Sequence, residues 1–219
     1  MKITSSESAV DESRTLGYLQ NHLPNFPAPK LHGLIEFGGF HLLFTTFEGS
    51  HNLEEIWPQL NLVEKRDIST QLASIMSQLR TLPHPENSPF GKVGCEDVRR
   101  GSRTSDQVIT NIEQFDDFIF SGATAATPTY LRFLRNFIPK PPTECVFTHR
   151  DIKPGNIIVE RSEISGWKVA AIIGWENSGF YPAYWEGIKV TNNLTPRDDD
   201  DWYLHLPEPF SPHRHPIED

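Results

Sequence analysis

The sequence predicts an α+β fold, and three observations carry that prediction. Two apolar runs, residues 31–37 and 40–47, flank a Gly38-Gly39 pair, the pattern of a β-hairpin whose turn residues take positive φ without penalty. Ile68, Leu72, Ile75, Met76 and Leu79 recur at helical spacing. A second hairpin pattern, residues 157–159 and 167–173, follows a polar loop late in the chain.

The elements justify themselves in order. A polar lead precedes an amphipathic helix edged by Leu16, Tyr18 and Leu19, which Pro24 and Pro27 end. The Gly-Gly hairpin comes next. Asn61 followed by Glu64 is a capping-box start for the long helix, and Leu82-Pro83 stops it. Residues 84–124 are polar, with a short helix expected near 106–118. Tyr130, Leu134 and Phe137 mark another helix, closed by Pro139 to Pro142. Residues 145–148 are β-prone, residues 183–190 predict a helix, and the end from Thr191 predicts loop.

A chain of 219 residues suits one or two domains. Acidic residues outnumber basic ones, 29 to 20, and the net charge of -9 argues against a general binder of nucleic acid or acidic membranes. Fourteen Phe, five Trp and five Tyr exclude disorder of the whole chain, while 18 prolines predict long loops. Cys95 and Cys145 are too few for a four-cysteine zinc site or a disulfide scaffold. Residues 1–15 lack the apolar core of a signal peptide, and no apolar run approaches the ~20 residues that span a bilayer. A reduced, cytoplasmic protein is expected.

The segment Thr148-His-Arg-Asp-Ile-Lys-Pro-Gly-Asn156 carries the chemistry. Asp151 precedes Asn156 by five positions on a loop between β-prone segments. Phosphoryl transfer needs that set: a carboxylate to orient and deprotonate a hydroxyl, and a neutral oxygen ligand for magnesium. Lys153 on the same loop can neutralise charge developing on the phosphoryl group. The pattern H-R-D-x-x-x-x-N is a kinase catalytic-loop signature.

Together with Ala171-Ile-Ile-Gly-Trp-Glu176 and Gly179-Phe-Tyr-Pro-Ala-Tyr-Trp-Glu186, residues 147–159 resemble the aminoglycoside phosphotransferase/choline-kinase-like family, over nearly the whole chain. The resemblance implies a protein-kinase-like bilobal fold: a truncated β-rich small lobe, residues 1–47, and a mainly helical large lobe, residues 48–219, with the catalytic loop at 148–156 and a metal segment at 171–176. It implies ATP and magnesium as cofactors, and transfer of the γ-phosphoryl group to a small-molecule hydroxyl. By the same resemblance Asp151 is the catalytic base, Asn156 a magnesium ligand and His149 a scaffold of the loop. Thr45, Thr46 and Phe47 would dock adenine through backbone groups. Lys2 and Glu12 have the spacing of the family's strand lysine and helix glutamate, so the chain reads as N-terminally shortened, without the Gly-rich loop.

Three positions depart from the family. Arg150 stands where the family usually has glycine, either as a surface residue paired with an acid or as the protein-kinase version of the motif, which Lys153 also matches. Gly174 stands where the family presents its metal-binding Asp, a loss on the order of a thousandfold in rate. Glu176, two positions on, would share the side of residue 174 if the segment were extended and is a candidate metal ligand, although the family carries a Glu there beside its Asp. The expected function is therefore an impaired phosphotransferase-domain protein; the alternative is an inactive, pseudokinase-like protein acting through protein partners. The acceptor class stays open, with the net charge favouring a cation. Asp198 to Asp201 read as a solvated run, His213 and His215 as tail, and Trp175, Tyr181, Tyr184 and Trp185 as core or acceptor pocket.

Overall fold

Residues 1–46, 49–84, 88–91, 96–97, 103–122, 125–135, 144–162, 166–191, 194 and 201–210 are described by the computed structural model. Lys2–Thr4 forms β1, and Ser8–His22 forms α1, which closes at Leu23, just before Pro24. Leu31–Phe37 (β2) and Phe40–Thr45 (β3) make the expected hairpin, with Gly38 and Gly39 at φ 58° and 79°. Two successive positive φ values give a turn whose twist matches that of the strands. The sheet is antiparallel in the order β1-β3-β2, with Lys2 opposite Leu43 and Leu34 on the other side of Leu43.

His51–Asn52 (β4) leads into the single turn Leu53–Ile56 (α2), where the Asn52 side chain caps the Glu54 N–H. A 3-10 turn, Trp57–Gln59, precedes Leu62–Leu79 (α3). Both arms of the α3 capping box are present: Asn61 Oδ1 accepts the Val63 and Glu64 N–H groups, and Glu64 accepts the Asn61 N–H at 3.0 Å. Short strands Glu96–Asp97 (β5) and Arg103–Thr104 (β6) pair with each other. Ile112–Ser121 (α4) starts later than the expected helix, because the Asn111 side chain accepts the Gln114 N–H and sets the boundary. Pro128–Arg135 (α5) buries no residue, and Phe137 and Pro139 to Pro142 lie outside the described residues.

Cys145–Thr148 (β7), Ile157–Ser162 (β8), Gly166–Ile172 (β9), Gly179–Pro182 (β10) and Trp185–Val190 (α6) complete the regular elements. The second expected hairpin is β8–β9, extended by β4 into a three-stranded sheet. Strand β10 was not apparent in the sequence; it pairs antiparallel with β7, placing Gly179 opposite Thr148.

One apolar core joins Leu16 and Leu19 of α1, Ile68, Leu72 and Leu79 of α3, and Ile157, Val159, Ile172 and Trp175 beyond the catalytic-loop segment. A smaller cluster gathers Phe90, Ile109, Phe115, Tyr181 and Trp185. The expectation of a loop-like end is corrected at Asp201–His205, a 3-10 helix whose Trp202 is buried edge-on against Trp57 at 5.1 Å. Asp201 keeps partial exposure but is partnered: it accepts the Trp57 indole N–H at 2.8 Å and pairs with Lys65 at 2.7 Å. Asp198 to Asp200, Cys95, His213 and His215 lie outside the described residues. Among the described residues, no helix is long and apolar enough to cross a membrane.

Candidate active site

Strand β7 ends at Thr148 and delivers a loop that returns through the 3-10 turn Pro154–Asn156 into β8. His149 is fully buried beneath it, with its ring edge-on to Trp175 at 4.5 Å. His149 Nε2–H donates to the Ile173 carbonyl at 2.9 Å, and Nδ1 accepts the Asp151 N–H at 3.2 Å. Burial pushes the imidazole pKa down to about 4, against the pull of the Ile173 carbonyl, Asp151 and Glu176, so the ring is neutral at pH 7. The neutral tautomer with hydrogen on Nε2 is the one both bonds require. His149 thereby ties the 149–156 loop to Ile173, just past the end of β9.

The sequence reading gave Glu186 no role of its own and left Tyr181 between core and acceptor pocket. Glu186, on α6 and fully buried, accepts the backbone N–H groups of His149 at 2.6 Å and Arg150 at 2.9 Å. Burial drives its carboxyl pKa up to about 7, although those two bonds and the charges of Arg80 and Arg150 oppose the rise. Tyr181, on β10, lies under the Arg150 guanidinium at 4.4 Å from ring centroid to Cζ. Neither was visible as a partner of the loop, because each lies more than 30 positions downstream on elements that fold back.

Arg150 is buried, which excludes the surface reading. Its φ of 69° lies in the left-handed region, among the described residues the one non-glycine case. The family's usual glycine carries no penalty there, whereas a residue with Cβ costs about 1–2 kcal/mol.

Asp151, Lys153 and Asn156 meet: Lys153 Nζ is 3.0 Å from Asp151 Oδ2, and Asn156 Nδ2 donates to Asp151 Oδ2 and to its carbonyl, both at 2.8 Å. Asn156 Oδ1 is thereby turned away from Asp151 and presents an acceptor. The loop is fastened from the outside by Asn52 Nδ2, which donates to the Gly155 carbonyl at 2.8 Å.

Gly174 abuts this group. A Cβ built there lies 3.1–3.2 Å from the Asn156 side-chain amide. Its φ is +82°, and the next residues turn as a 3-10 helix, Trp175–Asn177. The segment is not extended, so the expectation that Glu176 shares the side of residue 174 by strand alternation is corrected. Glu176 instead meets Lys2 at 3.3 Å, and Lys2 meets Glu12 of α1 at 2.7 Å. Burial works to lower the Lys2 pKa, but bonding and attraction to Glu12 and Glu176 outweigh it and hold the value above the usual lysine range.

Thr45 ends β3 opposite Leu31, and the Thr46 N–H donates to the Lys30 carbonyl at 2.9 Å; Phe47 lies outside the described residues. Trp175, Tyr181 and Trp185 are core. The Tyr184 hydroxyl donates to Asp116, and burial raises the pKa of both groups.

The site thus offers a lysine held by two acids, a carboxylate flanked by a cation and an amide, and the amide oxygen of Asn156 beside Gly174. That set fits a phosphate chain and one oxygen-bound cation. Among the described residues, no three His, Cys, Asp or Glu side chains are grouped to hold a metal ion.

A model of the phosphotransferase enzyme family, APH, matches residues 2–216. Among solved structures, that of the gentamicin–APH(2″)-IIa complex matches with a TM-score of 0.51 and 12 % identity, covering 94 % of this chain and 68 % of that one. At such identity the likeness concerns the fold, which is α+β and kinase-like. No curated protein matches the sequence.

Proposed function

The chain belongs to the phosphotransferase enzyme family, and from that membership we propose that it binds ATP with magnesium and passes the γ-phosphoryl group, at a reduced rate, to a hydroxyl of a small molecule. The observation carrying this reading is the Lys2 ammonium, 2.7 Å from Glu12 and 3.3 Å from Glu176. It draws a strand, a helix and the segment beside Asn156 to one point, where a phosphate chain needs a fixed cation.

The small lobe is residues 1–47 and the large lobe 48–219. Lys2 lies opposite Leu43, and Thr45 is two residues further on the same face of β3. A nucleotide with its phosphates at Lys2 then has its base towards Thr45, Thr46 and Phe47. Asp151 orients the acceptor hydroxyl and takes its proton. Lys153, at 3.0 Å, offsets charge developing next to it. His149 and Arg150 hold the loop from below. Asn156 Oδ1 and Glu176 are this chain's donors for magnesium, which when bound neutralises charge on the phosphates. The protein acts in the cytoplasm, without nucleic acid or membrane.

The impairment follows from Gly174. Loss of a metal-binding carboxylate costs about 4 kcal/mol in the transition state, on the order of a thousandfold. The same glycine favours a second reading, a pseudokinase-like protein that binds nucleotide and acts through protein partners.

Melting the protein with ATP, with and without magnesium, tests binding. Saturation near 100 Kd stabilises by about 2.7 kcal/mol, or roughly 5–10 °C at this chain length. Gly174→Asp then tests the impairment: ATP consumption rises by about two orders of magnitude or more. The aspartate must tolerate φ +82° and displace the Asn156 amide by a few tenths of an ångström, which a short polar side chain can do. A magnesium-dependent shift with no Asp151-dependent turnover in either form selects the second reading. No shift in either form refutes both.

A further inference from the structure

We propose that Arg150 is a positioning residue for Asp151: its guanidinium, laid on Tyr181, fixes the left-handed turn that aims the Asp151 carboxylate at Asn156 and Lys153. The inference rests on the phosphotransferase reading only in giving Asp151 its role.

A residue with a Cβ keeps a φ of 69° only where its surroundings over-determine it. Arg150 has such surroundings. Nη1 donates to the Tyr181 hydroxyl and, at 3.2 Å, to the Asn177 carbonyl, while Cζ lies 4.4 Å from the Tyr181 ring centroid. Its backbone N–H is held by Glu186. With the backbone of residue 150 reversed, Ile152 enters the core and Asp151 stays half-exposed beside Asn156 and Lys153.

The anchor itself is closely packed. Tyr181 is fully buried, sits opposite Val146 of β7, and meets Phe115 of α4 edge-on at 6.0 Å. Its hydroxyl occupies the space over Gly91, where a Cβ would lie 2.7 Å away. A side chain at 91 would push Tyr181 off the guanidinium. Packing around α4 thereby reaches the Asp151 carboxylate through Tyr181 and Arg150.

The decisive readout needs no activity. Solvent exchange of the Asn156 side-chain amide, followed by NMR, reports its bonds to Asp151. In Tyr181→Phe and in Arg150→Gly this exchange quickens about tenfold or more, while backbone amides of Leu72 and Ile75 in α3 stay protected. Unchanged exchange at Asn156 in both variants overturns the proposal. If Arg150→Gly also loses protection in α3, the milder Tyr181→Phe decides by the same criterion. In ATP consumption, Arg150→Gly lowers kcat about tenfold with KM for ATP within about threefold; a wild-type kcat in that variant also overturns it. Should the natural protein show no Asp151-dependent consumption, the phosphotransferase reading fails separately, and the Asn156 exchange still settles the role of Arg150.

Discussion

Replacing Glu186 by glutamine changes how stability depends on pH, and the structure sets the size of the change. The carboxyl is fully buried under the catalytic loop, and its pKa rises from 4.5 to about 7. Between those values the folded chain keeps a proton that the unfolded chain has released, so the natural protein loses stability as pH rises. At about 1.36 kcal/mol per pH unit, the loss comes to about 3 kcal/mol over the window. His149 works in the opposite sense. Its pKa falls from 6.5 to about 4, so the unfolded chain holds the proton there and stability grows with pH, again by about 3 kcal/mol. In the natural protein the two contributions nearly cancel between pH 4.5 and 6.5. Glu186→Gln removes one of them and exposes the other. The variant also loses one of two buried acceptors, a constant offset of about 1–3 kcal/mol at every pH. The assay is therefore the difference between variant and natural melting temperatures across pH 4.5–7, not either value alone. That difference moves by about 3 kcal/mol in favour of the variant as pH rises, or roughly 6–12 °C. A difference independent of pH refutes the reasoning, since it means the two backbone N–H groups keep Glu186 as easily ionised as in the unfolded chain.

Two further predictions concern elements that hold the site in place. Asp201→Ala leaves the Lys65 ammonium and the Trp57 indole N–H without the acceptor they share; it costs about 2 kcal/mol and red-shifts tryptophan fluorescence as Trp202 lifts from Trp57. Fluorescence unchanged at the same denaturant midpoint would show that the docked end contributes nothing. Asn61→Ala removes both bonds of the α3 cap and costs about 1 kcal/mol in denaturant unfolding, with an unchanged m-value.

Much of the molecule was readable because its determinants are local. A pair of glycines at positive φ makes the β2–β3 turn whatever surrounds it, and an asparagine three residues before a glutamate starts α3 by bonds within one turn. The loop from Thr148 to Asn156 was likewise legible as a family motif through residue types at fixed spacing. The misreadings arose where side chains were judged without their distant partners. Arg150 stood open between a surface residue and the kinase form of the motif until Tyr181 covered it, and Asp201 read as part of a solvated run until Lys65 and Trp57 met it. Strand β10 was missed because Gly179 and Pro182 bracket only two β-prone residues, Phe180 and Tyr181, and pairing with β7 extends them.

By itself, then, the chain's order of residues determined its family, its α+β class, its long capped helix and the acid and amide at 151 and 156. Only folding decided that Glu12 and Glu176 share Lys2, that Glu186 grips the loop from beneath, and that the 174–177 segment coils rather than extends. The division has a physical cause. Turn sterics and caps act within a few bonds, whereas burial, and the ionisation it shifts, depend on which distant surfaces close over a group once water has left.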